Sequence, residues 1–322
     1  MASCSIVTPS YLPDLPLARE LCASIDKFVA PDISHILVVP AGDRASFADL
    51  QSGRRRVITQ ESVVPWYFKR IPTPPRLYIP GLVNRPLRQG WLSPVGLLSG
   101  WLIANSIVKI ASPSYCDTDI IVLADSDMEI IRPVDASTFE MNGKVPLHAK
   151  KVPPIHEAWH RSAAKLLGLP PKDYFGADFI GHLVAWKREN VVLMQKRVES
   201  TMGIPWPLAM ARLRAVAETI TYGVFCQEIL GDKSGHVFMD GFTHSYWGSD
   251  WQDGRSLDKF VKGLSDHSLA VLVQSTVPIT IEERRRVLDA ISSRVRDIDR
   301  SGAFVAGASA QGNDAAESWR TV

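Results

Sequence analysis

Three short apolar runs constrain this chain more than any other feature: CSIVTPSY at 4–11, HILVVP at 35–40 and RRVITQE at 55–61. Each has the length of a strand and is bounded by turn-forming or polar residues. Between the first two, Leu17, Leu21, Ile25 and Phe28 recur at helical spacing. A short FADL helix follows the second. This strand–helix order returns the chain to the sheet in one direction, so it predicts a parallel sheet with helices on both faces. Ligands of such sheets bind beyond the carboxyl ends of the strands, where the loops TPSY and AGD lie.

A fourth run, IIVLADSDMEI at 120–130, ends on two aspartates spaced one apart, Asp125 and Asp127. Unpaired carboxylates beside a core are costly, and two together repel. A positive group should therefore sit between them, most simply a divalent cation. Oxygen ligands on a short turn suit Mg2+ or Mn2+ better than zinc, and magnesium shares its shell with substrate phosphates. The pair thus points to a bound di- or triphosphate.

The remaining chain reads as one domain over 1–300, with a nucleotide-binding part to about residue 135, an acceptor-side part after it, and a disordered tail at 301–322. Residues 62–90, rich in Pro, Arg and aromatics, are expected to form a long loop. PVGLLSGWLIANSIVKIA, 94–111, approaches a membrane span in length. Ser99, Asn105, Ser106 and Lys109 make it a buried helix instead. EIIRPV is expected to continue the aspartate strand, GHVFMDGFTHSYWG and LAVLVQS to be late strands, and TIEERRRVLDAISSRVRDIDR a helix capped by its Thr.

A net charge of +2 argues against a dedicated nucleic-acid binder. The clusters GRRR at 53–56 and EERRR at 282–286 read as a solvated loop and a solvated helix face, with an anionic acceptor or a membrane surface as the alternative. Cys4, Cys22, Cys116 and Cys226 have no metal spacing, and Cys4 and Cys22 suit buried thiols in a reducing compartment. The N-terminus lacks a signal-peptide pattern. The expected location is the cytoplasm, with peripheral attachment to the inner membrane face left open.

IIVLADSDMEIIRPV, with the preceding GWLSPVGLLSGWLIANSIVKIAS, resembles the nucleotide-sugar-dependent glycosyltransferases of the GT-A fold. AETITYGVF is similar to a helix start in a poorly characterised bacterial group related to that fold. The resemblance covers residues 3 to 280 and implies a Rossmann-type mixed α/β fold, its mostly parallel sheet flanked by helices. It implies that Asp125 and Asp127 hold Mn2+ or Mg2+ against the donor's diphosphate, Asp127 directly, with His244 as third ligand. Thr8, Pro9 and Ser10 would line the nucleotide pocket. The second loop reads VVPAGD rather than an acidic DDGS-like run, so Asp43 alone stands where base recognition would be. Glu218, heading the TITYGVF helix, is the acid/base candidate, with helix capping as its bland alternative. Asp178 would bind donor or acceptor hydroxyls, or satisfy backbone donors in a turn. Trp91, Trp186, Trp247 and Trp251 are candidates for sugar stacking or core packing. The implied donor is a nucleoside-diphosphate sugar, UDP favoured; the acceptor is a saccharide, a lipid-linked glycan or a small molecule.

Three rivals remain. Haloacid-dehalogenase-type phosphatases also place D-x-D after an apolar strand, but DSDME lacks their following hydroxyl and lies deep in the chain. Sugar nucleotidyltransferases open on a Gly-rich basic loop, whereas IVTPSYLPD has no glycine. A non-catalytic nucleotide- or carbohydrate-binding module is the third, and metal-dependent hydrolysis of a nucleotide-sugar would separate it from an enzyme.

Overall fold

The computed structural model describes residues 2–72, 76–79, 83–86, 89–213, 215–248 and 254–300. The tail expected to be disordered and Trp251 lie outside them. The strands in chain order are β1 (Cys4–Pro9), β2 (Ser34–Val39), β3 (Arg55–Thr59), β4 (Lys69–Ile71), β5 (Arg76–Ile79), β6 (Val83–Pro86), β7 (Gly90–Ser93) and β8 (Gly96–Ser99). They continue with β9 (Ile120–Leu123), β10 (Met128–Ile130), β11 (Val145–His148), β12 (Val184–Lys187), β13 (His236–Met239), β14 (Thr243–Tyr246) and β15 (Ala270–Val273).

The central sheet runs β12-β9-β1-β2-β3. β9, β1, β2 and β3 are parallel, and β12 closes the β9 edge antiparallel. The fold is therefore mixed α/β, with a mostly parallel sheet flanked by helices. Period-two alternation splits the apolar runs between its faces. Ile6, Ile120 and Val122 pack with Leu21 and Ile25 of the helix Leu15–Phe28, while Val7, Ile121 and Leu123 join the larger core with Ile107, Trp186 and Tyr222. Trp91 and Trp186 are fully buried, so both serve core packing.

The structure differs from several sequence expectations. Residues 62–90 are not a long loop throughout: β4, β7 and β8 form a small antiparallel sheet, and β5 pairs with β6. Two-residue turns and short runs with Pro give too few periods to read as strands. The helix expected from residue 94 begins instead with the turn into β8 and β8 itself, and the helical part proper is Leu102–Ile107 continued by Val108–Ile110. β10 does not extend β9 but pairs antiparallel with β15, which runs parallel to β14. The C-terminal helix Ile281–Arg300 starts on a reciprocal cap: Thr280 Oγ1 accepts from Glu283 N at 3.1 Å, and Glu283 Oε2 from Thr280 N at 2.7 Å.

Neither basic cluster is merely solvated. Arg54 donates to the carbonyls of Val29, Ala30 and Ile33. Arg55 is buried and reaches Asp26, His35 and the Cys22 carbonyl. Arg284 is buried as well. All four cysteines are free and buried, and burial pushes Cys4 and Cys22 up to about 12 and about 11. Among the described residues no helix is long and apolar enough to cross a membrane.

Two predictions concern the core around the helix Glu218–Val224. A Cβ on Gly223 would lie 2.2 Å from Phe179 Cγ. Gly223→Ala should destabilise the fold by about 1–3 kcal/mol in urea unfolding; an unchanged midpoint would mean that the helix and Phe179 part freely. His236 donates from Nδ1 to the Val145 carbonyl and accepts at Nε2 from Tyr222, both at 2.8 Å. Burial pulls it down to about 4. The unfolded chain then binds the proton first, so acidification from pH about 6.5 toward 4 should cost stability. Replacing His236 with Gln should flatten that slope in melts across the window.

Candidate active site

Ala124 N donates to the Val7 carbonyl at 3.0 Å, the last bond before the chain leaves the sheet at Asp125. Both Asp125 oxygens are then engaged. Oδ1 lies 2.9 Å from Lys109 Nζ, and Oδ2 lies 2.8 Å from His182 Nδ1. A carboxylate can only accept there, so His182 carries its proton on Nδ1 and presents Nε2, which is buried without a hydrogen-bond partner among the described residues. Lys109 Nζ also reaches Glu218 Oε1 at 3.1 Å, and Ser106 Oγ donates to Glu218 Oε2 at 3.1 Å. Ser106, Glu218, Lys109, Asp125 and His182 thus form one chain of contacts at the end of β9.

The electrostatics follow from that geometry. Burial alone would lower the Lys109 ammonium, but Asp125 and Glu218 push it above the ordinary lysine value. Burial alone would raise Asp125; Lys109 and then His182 hold it well below the usual carboxylate range. Asp127 shifts the other way, raised by burial and then by the charge on Asp125. Asp127 Oδ2 accepts from Ser275 N at 2.8 Å, and its backbone carbonyl accepts from Arg284 Nη2 at 2.6 Å. Its Oδ1 has no hydrogen bond among the described residues. Asp14, bonded to Ser126 Oγ at 3.4 Å, is raised to about 6 by burial and by Asp127. The turn therefore carries one charge-compensated carboxylate, Asp125, and one under-compensated, Asp127, which faces the equally under-compensated Asp14 at the entry to the N-terminal helix.

The other sequence candidates fall as follows. Thr8 is fully buried, and its Oγ1 accepts at 3.0 Å from His35 Nε2, because His35 Nδ1 takes the Arg55 Nε proton. It faces the sheet interior rather than a pocket, since the parallel neighbour β2 supplies its partner. Pro9 ends β1 inside the core. Ser10 stands at the strand end with a buried Oγ that has no hydrogen-bond partner among the described residues. Asp43 accepts from Leu12 N at 2.9 Å and so ties the two strand-end loops together. Asp178 pairs with Lys150 through the backbone, and its Oδ1 accepts from Ile180 N at 3.0 Å, which shapes the loop that delivers His182. His244 is drawn elsewhere: its Nε2 donates to the Phe260 carbonyl at 2.8 Å and its ring stacks on Phe260. Trp247, half-exposed, lies 5.2 Å from the His182 ring.

Asp125 already answers Lys109 and His182, one on each oxygen, and among the described residues no three His, Cys, Asp or Glu side chains are grouped to hold a metal. The triad Asp125, Asp127 and His244 is not assembled. What fits is an oxygen-seeking ion held by the open Asp127 oxygen and completed by waters and phosphate, the habit of Mg2+. Sequence reasoning missed Lys109, His182, Asp14 and Arg284. Lys109 carried a usable signal, since a lone lysine in a buried apolar helix must find carboxylates.

A model described as a family of unknown function (DUF6492) matches residues 5–293. No curated protein matches. Among solved structures, the crystal structure of mouse xyloside xylosyltransferase 1 in its apo form is 14% identical, with a TM-score of 0.45, covering 86% of this chain and 99% of that one. At that distance a functional reading has to rest on the side chains.

Removing Lys109 should expose the balance of the buried chain. Lys109→Met should cost about 3 kcal/mol or more by leaving two carboxylates uncompensated. Adding Glu218→Gln should recover at least about 1 kcal/mol of it. Strictly additive losses in a urea double-mutant cycle would show that the contact does not couple the two residues.

Proposed function

We propose that this chain, which belongs to the family of unknown function DUF6492, is a glycosyltransferase that moves a sugar from a nucleoside-diphosphate sugar to a hydroxyl acceptor, with UDP the favoured carrier. The observation that carries this reading is Asp127, a buried carboxylate with one oxygen open at the carboxyl end of a central parallel strand. Ser10, whose hydroxyl has no partner among the described residues, leaves the same end of the adjacent strand. Sheet ends of this kind are where α/β folds bind nucleotides.

Asp127 is the residue that would hold Mn2+ or Mg2+. When bound, the ion supplies charge that offsets the departing diphosphate. The chain's own contribution is preorganisation. Lys109 keeps Asp125 ionised and in place, and Asp125 in turn fixes the His182 ring. Glu218 acts as the second counter-ion of Lys109, because both its oxygens are engaged. Glu218 is the base expected from the sequence; Asp178, expected to bind hydroxyls or to shape a turn, keeps an oxygen free of described partners and is the base we assign to an inverting reaction. Residues up to about 135 bind the donor in this reading, and those beyond shape the acceptor side.

A second reading has its own support. Neutralisation of Asp125 inside the protein is what a nucleotide-binding module without catalysis would also show. The two part on turnover, since only the enzyme releases UDP from a UDP-sugar.

The decisive measurement is calorimetric titration of UDP, GDP, dTDP and ADP with and without Mn2+, on wild type and Asp127→Asn. One nucleotide should bind in the presence of the ion, and the variant should bind it about tenfold or more weakly. If none binds with any metal, the glycosyltransferase reading fails.

A further inference from the structure

The sheet β4-β7-β8 departs from the pattern of a surface sheet, which presents polar residues to water on its open side. Its inner face is ordinary: Trp91, opposite Arg70 and Leu98, is fully buried, and Leu98 nearly so. On the outer face Lys69 stands opposite Leu92, and Leu92 opposite Leu97. Leu92 is 53% exposed and Leu97 72%, while Trp66, just before β4, is 79% exposed. Lys69 Nζ lies 5.9 Å from the Trp66 ring centre. Exposed apolar residues that gather on one face, rather than scattering singly, mark a contact surface.

Charge identifies what fits it. From Ser62 to Cys116 the sequence holds six basic residues and no acidic one, in a chain whose net charge is only +2. Lys109 and Arg70 are answered inside the fold by Asp125, Glu218 and Glu61, and Lys69 is the cation that the described residues place on the outer face. Leucines that can enter the acyl boundary, an indole suited to headgroup level and a lysine that can snorkel to phosphate are the parts of a surface that seats on a bilayer. Anionic headgroups complement the basic segment. A second copy of the chain would bring the same positive charge against itself and be repelled.

We propose that the outer face of β4-β7-β8, with Trp66, docks the protein on an anionic lipid bilayer. β8 leads through Gly100 into the helix that carries Lys109. Trp101, at its start, is eight residues before Lys109 on it. One helix therefore joins the docking face to the aspartate turn. Docking does not depend on what that turn binds.

The test is co-sedimentation of the full chain with vesicles of phosphatidylcholine alone and of phosphatidylcholine mixed with phosphatidylglycerol. Wild type should pellet with the anionic vesicles, and added salt should weaken it. The double variant Leu92→Ser/Leu97→Ser should partition about tenfold or more weakly. Lys69→Glu should also reduce it. These side chains are exposed, so circular dichroism and melting temperature should match wild type, which separates lost docking from lost folding. Absence of wild-type pelleting, or undiminished pelleting of the double variant, overturns the proposal. A dimer in sedimentation velocity that the double variant abolishes assigns the face to a second copy and overturns it equally.

Discussion

The Lys109 ammonium, buried between Asp125 and Glu218, joins three parts of the chain that lie far apart in sequence. It comes from the helix after the small sheet, Asp125 from the end of β9, and Glu218 from the head of a later helix. Each charge alone would be costly to desolvate; together, with Ser106 and His182 completing the lone pairs, they satisfy one another. The arrangement makes the aspartate turn a consequence of tertiary packing. It also divides the pair: Asp125 takes Lys109 and His182, and Asp127 takes Ser275 N on one oxygen and keeps the other without a hydrogen bond among the described residues.

Arg284 plays the same part from the opposite side. It donates to the carbonyls of Asp127 and Val273 and lies 3.4 Å from Glu20. The C-terminal helix is thereby fastened to the turn and to the N-terminal helix at once. Two buried cations from distant segments thus bracket the turn. A rigid frame of this kind is what positioned electrostatics requires, since donors that need not reorganise act at full strength.

Much of the architecture is legible in the residues. The apolar runs at 4–9, 34–39, 55–59 and 120–123 are long enough, and rich enough in Val and Ile, to declare buried parallel strands. The Thr280 cap and the periodicity after it declare the last helix. The small sheet was not legible, because strands of three or four residues with prolines between them carry at most two periods. The partners of the site were also hidden. Lys109, His182 and Arg284 meet the turn across separations of 16, 57 and 157 residues, and no local pattern encodes a contact at such range. His244 shows the converse: the strand was anticipated, and the contact of its Nε2 with the Phe260 carbonyl was not.

By itself the sequence determined a parallel α/β sheet and two aspartates at the end of a central strand, because strand length, apolar content and turn chemistry act locally. Tertiary structure alone decided which cations answer those aspartates, which carboxylate stays open and which face of the small sheet meets solvent. The physical reason is that buried charge is settled by desolvation and by the nearest counter-charge, both set by three-dimensional proximity.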